Sequence, residues 1–272
     1  MRSARPLLFL FGVSSAVSLS VLAASCSSSS SDAPTVQDAG VDEGVDTLPP
    51  PRDTAPKADT GPGADASDAP TDPFAGCTKD PVPATETVVP AGAGGGDPLA
   101  GTTFTLDQAM AGFPTGTGVI TAVITTEKGQ IVCQLDDARA PITVANFVGL
   151  ARGTRPAQKG GSDWTKSHFY DGLSWHRVVA DFVIQGGDPL GTGGGGPGYD
   201  LPTENQVVEP EGTLAMAAAA VPSGSQFYIV IGSGPAAKYN VFGTCTTDPV
   251  AKLIEQKKDH MQKVEIARCP AK

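Results

Sequence analysis

The sequence predicts a mainly β fold: about eight short strands, closed into a barrel or packed as a sandwich, with two helices set against them. Three observations carry this expectation. Short β-branched and aromatic runs recur from residue 119 onward. The connections between them are long and rich in glycine, which occurs 33 times in 272 residues and suits turns that need positive φ. Helical spacing in that region is confined to "APITVANFVGLARG" and "DPVAKLIEQKK", and no internal repeat is present.

The first 26 residues read as a segment outside the fold. Arg2 and Arg5 precede the apolar run "LLFLFGVSSAVSLSVLAA", and small residues lead to Cys26. That is the layout of a secretory signal. Serines interrupt the run, which argues against a membrane-spanning helix. Residues 27–76 form a linker of Ser, Asp, Ala, Pro and Thr. It holds ten acidic residues against Arg52 and Lys57, a net of −8 out of the chain's −10. With almost no large apolar side chain to bury, it cannot offset its conformational entropy and is expected to be disordered. Residues 77–118 read as an irregular extension with one short helix at "FTLDQAMAGF". With the linker removed, residues 77–272 carry a net charge of −4, so nothing in them asks for nucleic acid or an anionic surface.

Within that domain, "VITAVITTEKGQIVCQLDD" is a hairpin signal: two β-branched runs about a "KGQ" turn. "APITVANFVGLARG" follows as a helix, with Pro141 where a helix can begin and Gly153 where it stops. Further strands are read at "WHRVV", "FVIQGG", "GTLAMA", "QFYIVI", "NVFGTC" and "KVEIARC". The run "GDPLGTGGGGPGYD" lacks the Gly-Lys-Ser/Thr ending of a phosphate loop and the context of a dinucleotide fingerprint. It is read as a long turn. The three histidines and five cysteines are too widely spaced to form a metal knuckle, and no metal or cofactor is expected.

Three blocks in order resemble the cyclophilins, the β-barrel family of peptidyl-prolyl cis/trans isomerases. They are "FYDGLSWHRVVADFVIQGGDPLGTGGGGPGY", "EGTLAMA…GSQFYIV" and "KYNVFG", within a resemblance that covers roughly residues 119–268. The resemblance implies a closed eight-stranded antiparallel β-barrel with two flanking helices. It also implies that Arg177 is the catalytic arginine, with Gln185 beside it. Phe182, Val183 and Tyr228 fall on positions that line the proline pocket, and Tyr228 stands where Phe is usual. Ala217 and Ala218 match the strand that pairs with substrate backbone. Gln226 is a further polar contact, and Tyr239 takes a position held by His in eukaryotic members and commonly by Tyr in bacterial ones. The pocket tryptophan of drug-sensitive members has no counterpart, because Ser233, Gly234 and Pro235 occupy that region.

The residues themselves support this reading. Residues two apart on a strand share a face, so Val183 with Gln185, and Gln226 with Tyr228, each place an apolar and a polar group together. A proline ring wants an apolar floor, and its flanking carbonyls want donors. Rotation about a prolyl amide is opposed by resonance, with a barrier of about 18–20 kcal/mol. A guanidinium aimed at the imide nitrogen favours the deconjugated, twisted form without a nucleophile, a proton shuttle or a cofactor. Gln185 is expected to orient that guanidinium. His176 is read as a structural hydrogen-bonding residue.

The implied function is isomerisation of proline-containing, unfolded or flexible polypeptides by a monomer in the cell envelope. The rival reading is a proline-peptide-binding module with little turnover, motivated by Tyr228, Val183 and the missing tryptophan. "LAASC" resembles a bacterial lipoprotein cleavage site, which implies that Cys26 carries lipid and anchors the exported chain to a membrane. Four cysteines then remain, an even number suited to an oxidising compartment. In the barrel this chain resembles, the strands bearing Cys133 and Cys245 are neighbours, within the reach of a disulfide. Cys77 and Cys269 are left to pair.

Overall fold

A computed structural model describes residues 72–81, 85–235 and 239–270. The signal segment 1–26 with Cys26, and the linker as far as residue 71, lie outside the described residues. In chain order, the extension contributes β1 (Thr78–Lys79), β2 (Thr87–Val89) and α1 (Leu106–Ala109). The hairpin β3 (Val119–Thr126) and β4 (Gly129–Leu135) follows, then α2 (Pro141–Arg152), β5 (Trp164–Lys166), β6 (Leu173–Ser174), β7 (Arg177–Val179) and β8 (Val183–Gly186). The last third holds β9 (Thr213–Ala218), β10 (Pro222–Val230), β11 (Val241–Cys245), β12 (His260–Met261) and β13 (Lys263–Cys269).

Nine strands form one antiparallel sheet in the order β1-β13-β3-β4-β11-β9-β10-β8-β7. This corrects the expectation of eight strands closed into a barrel. The ninth strand is β1, which pairs with β13 through Thr78↔Arg268 and Lys79↔Ala267. Its place is fixed by a disulfide from Cys77 to Cys269. The sheet's two ends, β1 and β7, do not pair with each other. The segments that would close the circle meet only in a separate two-residue ladder, His260↔Ser174 and Met261↔Leu173. Trp175 N–H bonds the Asp259 carbonyl in the same register, but on the other side Gln262 donates its N–H to Thr125 and the ladder stops.

The helix α2 meets its expectation. Gly153 ends it in the left-handed conformation at φ 69°, where its N–H caps the last turn. Ala140 offers no capping side chain, and Glu204 serves instead: its carboxylate accepts the N–H groups of Ile142 and Thr143 at 2.8 and 2.7 Å. A carboxylate at that end also suits the helix dipole. Every residue from Thr143 to Arg152 is buried, so the helix is a plug inside the sheet and not an amphipathic flank. Phe147 sits at its centre, with its ring 4.9 to 5.5 Å from those of Tyr170, Phe227 and Phe242.

The helix expected at "DPVAKLIEQKK" is instead a single 3-10 turn, Val250–Leu253. Ile254 turns extended (φ −63°, ψ 131°) because the following backbone is committed elsewhere. Glu255 N–H donates to the Asp259 carboxylate at 2.7 Å, and Lys257 N–H donates to the Trp175 carbonyl at 2.8 Å. The extension is more organised than its composition suggests. Phe104, Ala109, Met110 and Phe113 join the main core. A capping box between Thr105 and Gln108 starts α1, while β2 pairs with β5. The second disulfide joins Cys133 and Cys245, which face each other across the β4–β11 ladder. Both pairings are those expected.

Candidate functional site

Strand alternation divides the sheet into two faces. On the inner one, Val178, Ile184, Ile229 and Leu214 are consecutive cross-strand partners that pack in or against the main core. On the outer face, directly paired residues run Arg177↔Gln185↔Tyr228↔Ala215↔Val241 across five strands. A second row, Val179↔Val183↔Val230, lies beside it. Val183, Ala215, Tyr228, Val230 and Val241 form a small apolar cluster separate from the main core, with Phe182, Ala217 and Tyr239 packed against it. The period of two in "FVIQG" and "QFYIV" produces this arrangement: each strand supplies one side chain to the core and the next to the outer cluster.

That cluster floors a groove of about 290 Å³ lined by Arg177, Phe182, Val183, Gln185, Ala217, Ala218, Tyr228, Pro235 and Tyr239. Eight of these residues were assigned to the site from the sequence, and Pro235 was read only as standing in the region of the missing tryptophan. Phe182 is set by the turn joining β7 and β8. There Asp181 takes a positive φ of 54°, and its carbonyl accepts the N–H of Ser233. Ala217 and Ala218 end β9 half-buried, where its pairing with β10 is irregular.

Arg177 is exposed. Among the described residues its guanidinium has no ion-pair partner and accepts no role in the hydrogen-bond network. It lies 5.8 Å from the centre of the Phe182 ring, a cation–π distance that aims it along the groove. Gln185 stands directly opposite, but its amide Nε2 donates to Gln226 Oε1 at 3.0 Å. Among the described residues no hydrogen bond joins Gln185 to the guanidinium that it is expected to orient. With the NH₂ end committed, the carbonyl end of Gln185 is the part left to accept from Arg177 or a peptide.

Gln226 does not line this groove. Its Nε2 donates to the carbonyls of Gly193 and Gly195 at 2.9 and 2.8 Å, and it borders a neighbouring cleft of about 490 Å³. The glycine run is thus a bound turn, as read, and Asp188 organises it. Asp188 is buried and accepts the N–H groups of Leu190, Thr192 and Gly193 at 2.7, 2.9 and 2.5 Å. Burial alone would raise its carboxyl, but these backbone donors outweigh it and hold the carboxyl below the usual range. Gly187, just before it, has φ 83°, and a Cβ there would lie 2.3 Å from the Ser225 carbonyl. Only glycine fits.

His176 is buried, and neither ring nitrogen has a hydrogen-bond partner among the described residues, so the hydrogen-bonding role expected of it is not seen. Burial lowers its pKa. Behind the groove, the Tyr228 hydroxyl donates to the buried Glu209 carboxylate. Burial raises the pKa of both groups. Glu209 and Asp188 escaped the sequence reading, although Asp-Pro ahead of glycine is an Asx-turn signal that could have marked Asp188.

The arrangement, a guanidinium beside an apolar floor, suits binding and twisting of a prolyl peptide. The comparisons with known proteins agree. Residues 121–270 match the family model described as cyclophilin type peptidyl-prolyl cis-trans isomerase. The probable peptidyl-prolyl cis-trans isomerase A of Mycobacterium leprae is 42% identical over 143 residues, spanning 50% of this chain and 78% of that protein. A peptidyl-prolyl cis-trans isomerase of Synechococcus elongatus is 47% identical over 110 residues, 40% of this chain and 66% of that protein. A family model that takes in more than half the chain, and a relative aligned over most of its own length, agree with the groove: this protein belongs to the cyclophilin-type peptidyl-prolyl cis-trans isomerases.

Proposed function

We propose that Arg177 performs the isomerisation and that the groove around it takes proline-containing segments of unfolded or flexible polypeptides. One observation carries the reading: the outer-face row leaves an uncommitted guanidinium at one end of an apolar floor. The proline ring rests on Val183, Phe182 and Tyr228, and the peptide backbone runs along the Ala217–Ala218 edge. Arg177 then donates toward the imide nitrogen. That nitrogen is a poor acceptor while conjugated and a good one once the bond is twisted, so the interaction is strongest in the transition state. Gln185 accepts from the guanidinium with its carbonyl while Gln226 holds its amide end. Gln226 also ties the glycine turn to the site's rim.

The same reading places the enzyme outside the cytoplasm, anchored through lipid on Cys26. The signal-like first 26 residues support it, as do two disulfides in one domain. Protease-coupled isomerisation of an Ala-Pro peptide by wild type and Arg177→Ala tests the catalytic part. Equal rates from two equally folded proteins would refute it.

A further inference from the structure

We propose that Glu209 is a positioning residue for the proline groove, holding Tyr228 and Tyr239 in the one mutual arrangement that leaves room for the ring. This rests on the reading of the groove given above.

Glu209 lies in the connection between residues 201 and 212, behind the groove, and is only 3% exposed. Its two carboxylate oxygens go to different walls. Oε2 accepts the hydroxyl of Tyr228, which rises from β10 through the floor. Oε1 accepts the backbone N–H of Tyr239 at 3.3 Å. The two tyrosine rings meet edge to face, with centroids 5.8 Å apart and planes at 83°, and both line the groove. The backbone of Glu209 reaches a third wall: a Cβ on Gly234 would lie 1.7 Å from the Glu209 carbonyl oxygen, so that carbonyl sits hard against the turn that carries Pro235 into the groove.

A buried carboxylate is a costly way to hold such a site. Among the described residues no cation pairs with it, and its raised pKa reflects burial only partly offset by the two hydrogen bonds. Phenylalanine against leucine would fill the same space at less cost. A buried carboxyl group kept where an apolar contact could stand points to a functional constraint. The constraint visible here is geometric. A two-oxygen acceptor fixes a hydroxyl on one strand and an amide on the following connection at a set separation, which an apolar contact would not do.

Four variants of the full chain test this with an Ala-Pro peptide, reading KM and kcat separately beside near-ultraviolet circular dichroism and thermal melts. Glu209→Ala releases both walls and should raise KM roughly tenfold with kcat within about twofold, since two modest hydrogen bonds are lost behind the binding surface. Glu209→Gln keeps an acceptor for Tyr239 N–H and a polar group for the Tyr228 oxygen, and should keep KM within about twofold. Tyr228→Phe removes one arm. Adding Glu209→Ala to it should then raise KM by clearly less than it does alone, because the two changes act through one contact. A folded Glu209→Ala with wild-type KM, a Glu209→Gln as impaired as Glu209→Ala, or additive effects in the double variant would overturn the proposal. Activity that survives Arg177→Ala would instead overturn the reading of the groove. Activity abolished by Arg177→Ala but indifferent to Glu209→Ala would overturn the positioning role alone.

Discussion

Replacing Arg177 by alanine should separate catalysis from stability, and the structure sets both magnitudes. The side chain is exposed, and its guanidinium lies 5.8 Å from the centre of the Phe182 ring. An exposed cation–π pair is worth about 0.5–1 kcal/mol, so the melting temperature should fall by no more than about 2–4 °C in a domain of this size. The transition-state interaction is a different matter. A charge-assisted donor made available only to the twisted imide supplies about 2–4 kcal/mol, a rate loss of about thirty- to a thousandfold. Because the donor does not favour the planar ground state, kcat and kcat/KM should fall together. Arg177→Lys should recover little, since an ammonium lacks the planar fork that both the imide nitrogen and the Gln185 carbonyl would use. Gln185→Ala should cost less than either. Its amide supports Gln226, and it touches the imide only through the arginine. The assay is protease-coupled isomerisation beside thermal melts. Near wild-type turnover by Arg177→Ala, or a loss that merely follows lost folded protein, would refute the reasoning.

Three other outcomes are expected. Cys133→Ser with Cys245→Ser should cost about 2–4 kcal/mol in denaturant unfolding, as loss of a cross-link closing so long a loop does, and non-reducing peptide mapping should return Cys133–Cys245 and Cys77–Cys269 and no other pair. Asp188→Asn should loosen the turn that receives Gln226. The folded pKa of Asp188 lies below the unfolded value of about 3.9, so its stabilisation is complete above about pH 4 and is lost as pH falls through the folded pKa. Wild type and variant should therefore differ most near neutrality and converge in acid melts. Finally, intact mass of the chain from a lipoprotein-processing bacterial host should show an N-terminus at Cys26 with added acyl mass, and an unacylated start elsewhere would sink the anchor.

How legible the molecule is in its sequence depends on residue spacing. The hairpin of β3 and β4, the buried helix and the two faces of β8 and β10 follow from period and from Pro141 and Gly153, and the structure keeps them. Strands of two or three residues, such as β1, β6 and β12, leave no period to read. Their existence depends on partners far away in the chain. The segment 248–258 has helical spacing, yet a tertiary hydrogen bond to Trp175 and a local one to the Asp259 carboxylate override it. In the site, two-residue spacing puts Val183 and Gln185 on one face, whereas Arg177 is visible only through the resemblance of its block to the cyclophilins. Glu209 is not visible, because a single acid in a loop shows its role only when the fold brings it under two tyrosines. The hydrogen bond from Gln185 to Gln226 was not legible, because Gln226 sits 41 residues away in the chain.

The central claim is that prolyl bonds are turned over in the outer-face groove at Arg177. The most direct measurement is nuclear magnetic resonance of the labelled chain with an Ala-Pro peptide, following amide shifts and cis/trans exchange in one sample. The account predicts shifts centred on Arg177, Phe182, Val183, Gln185, Ala217, Ala218 and Tyr228, together with catalysed exchange that Arg177→Ala abolishes while the shifts persist. Catalysed exchange with shifts centred elsewhere, for example around the disulfides on β4 and β13, or exchange undiminished in Arg177→Ala, would contradict it.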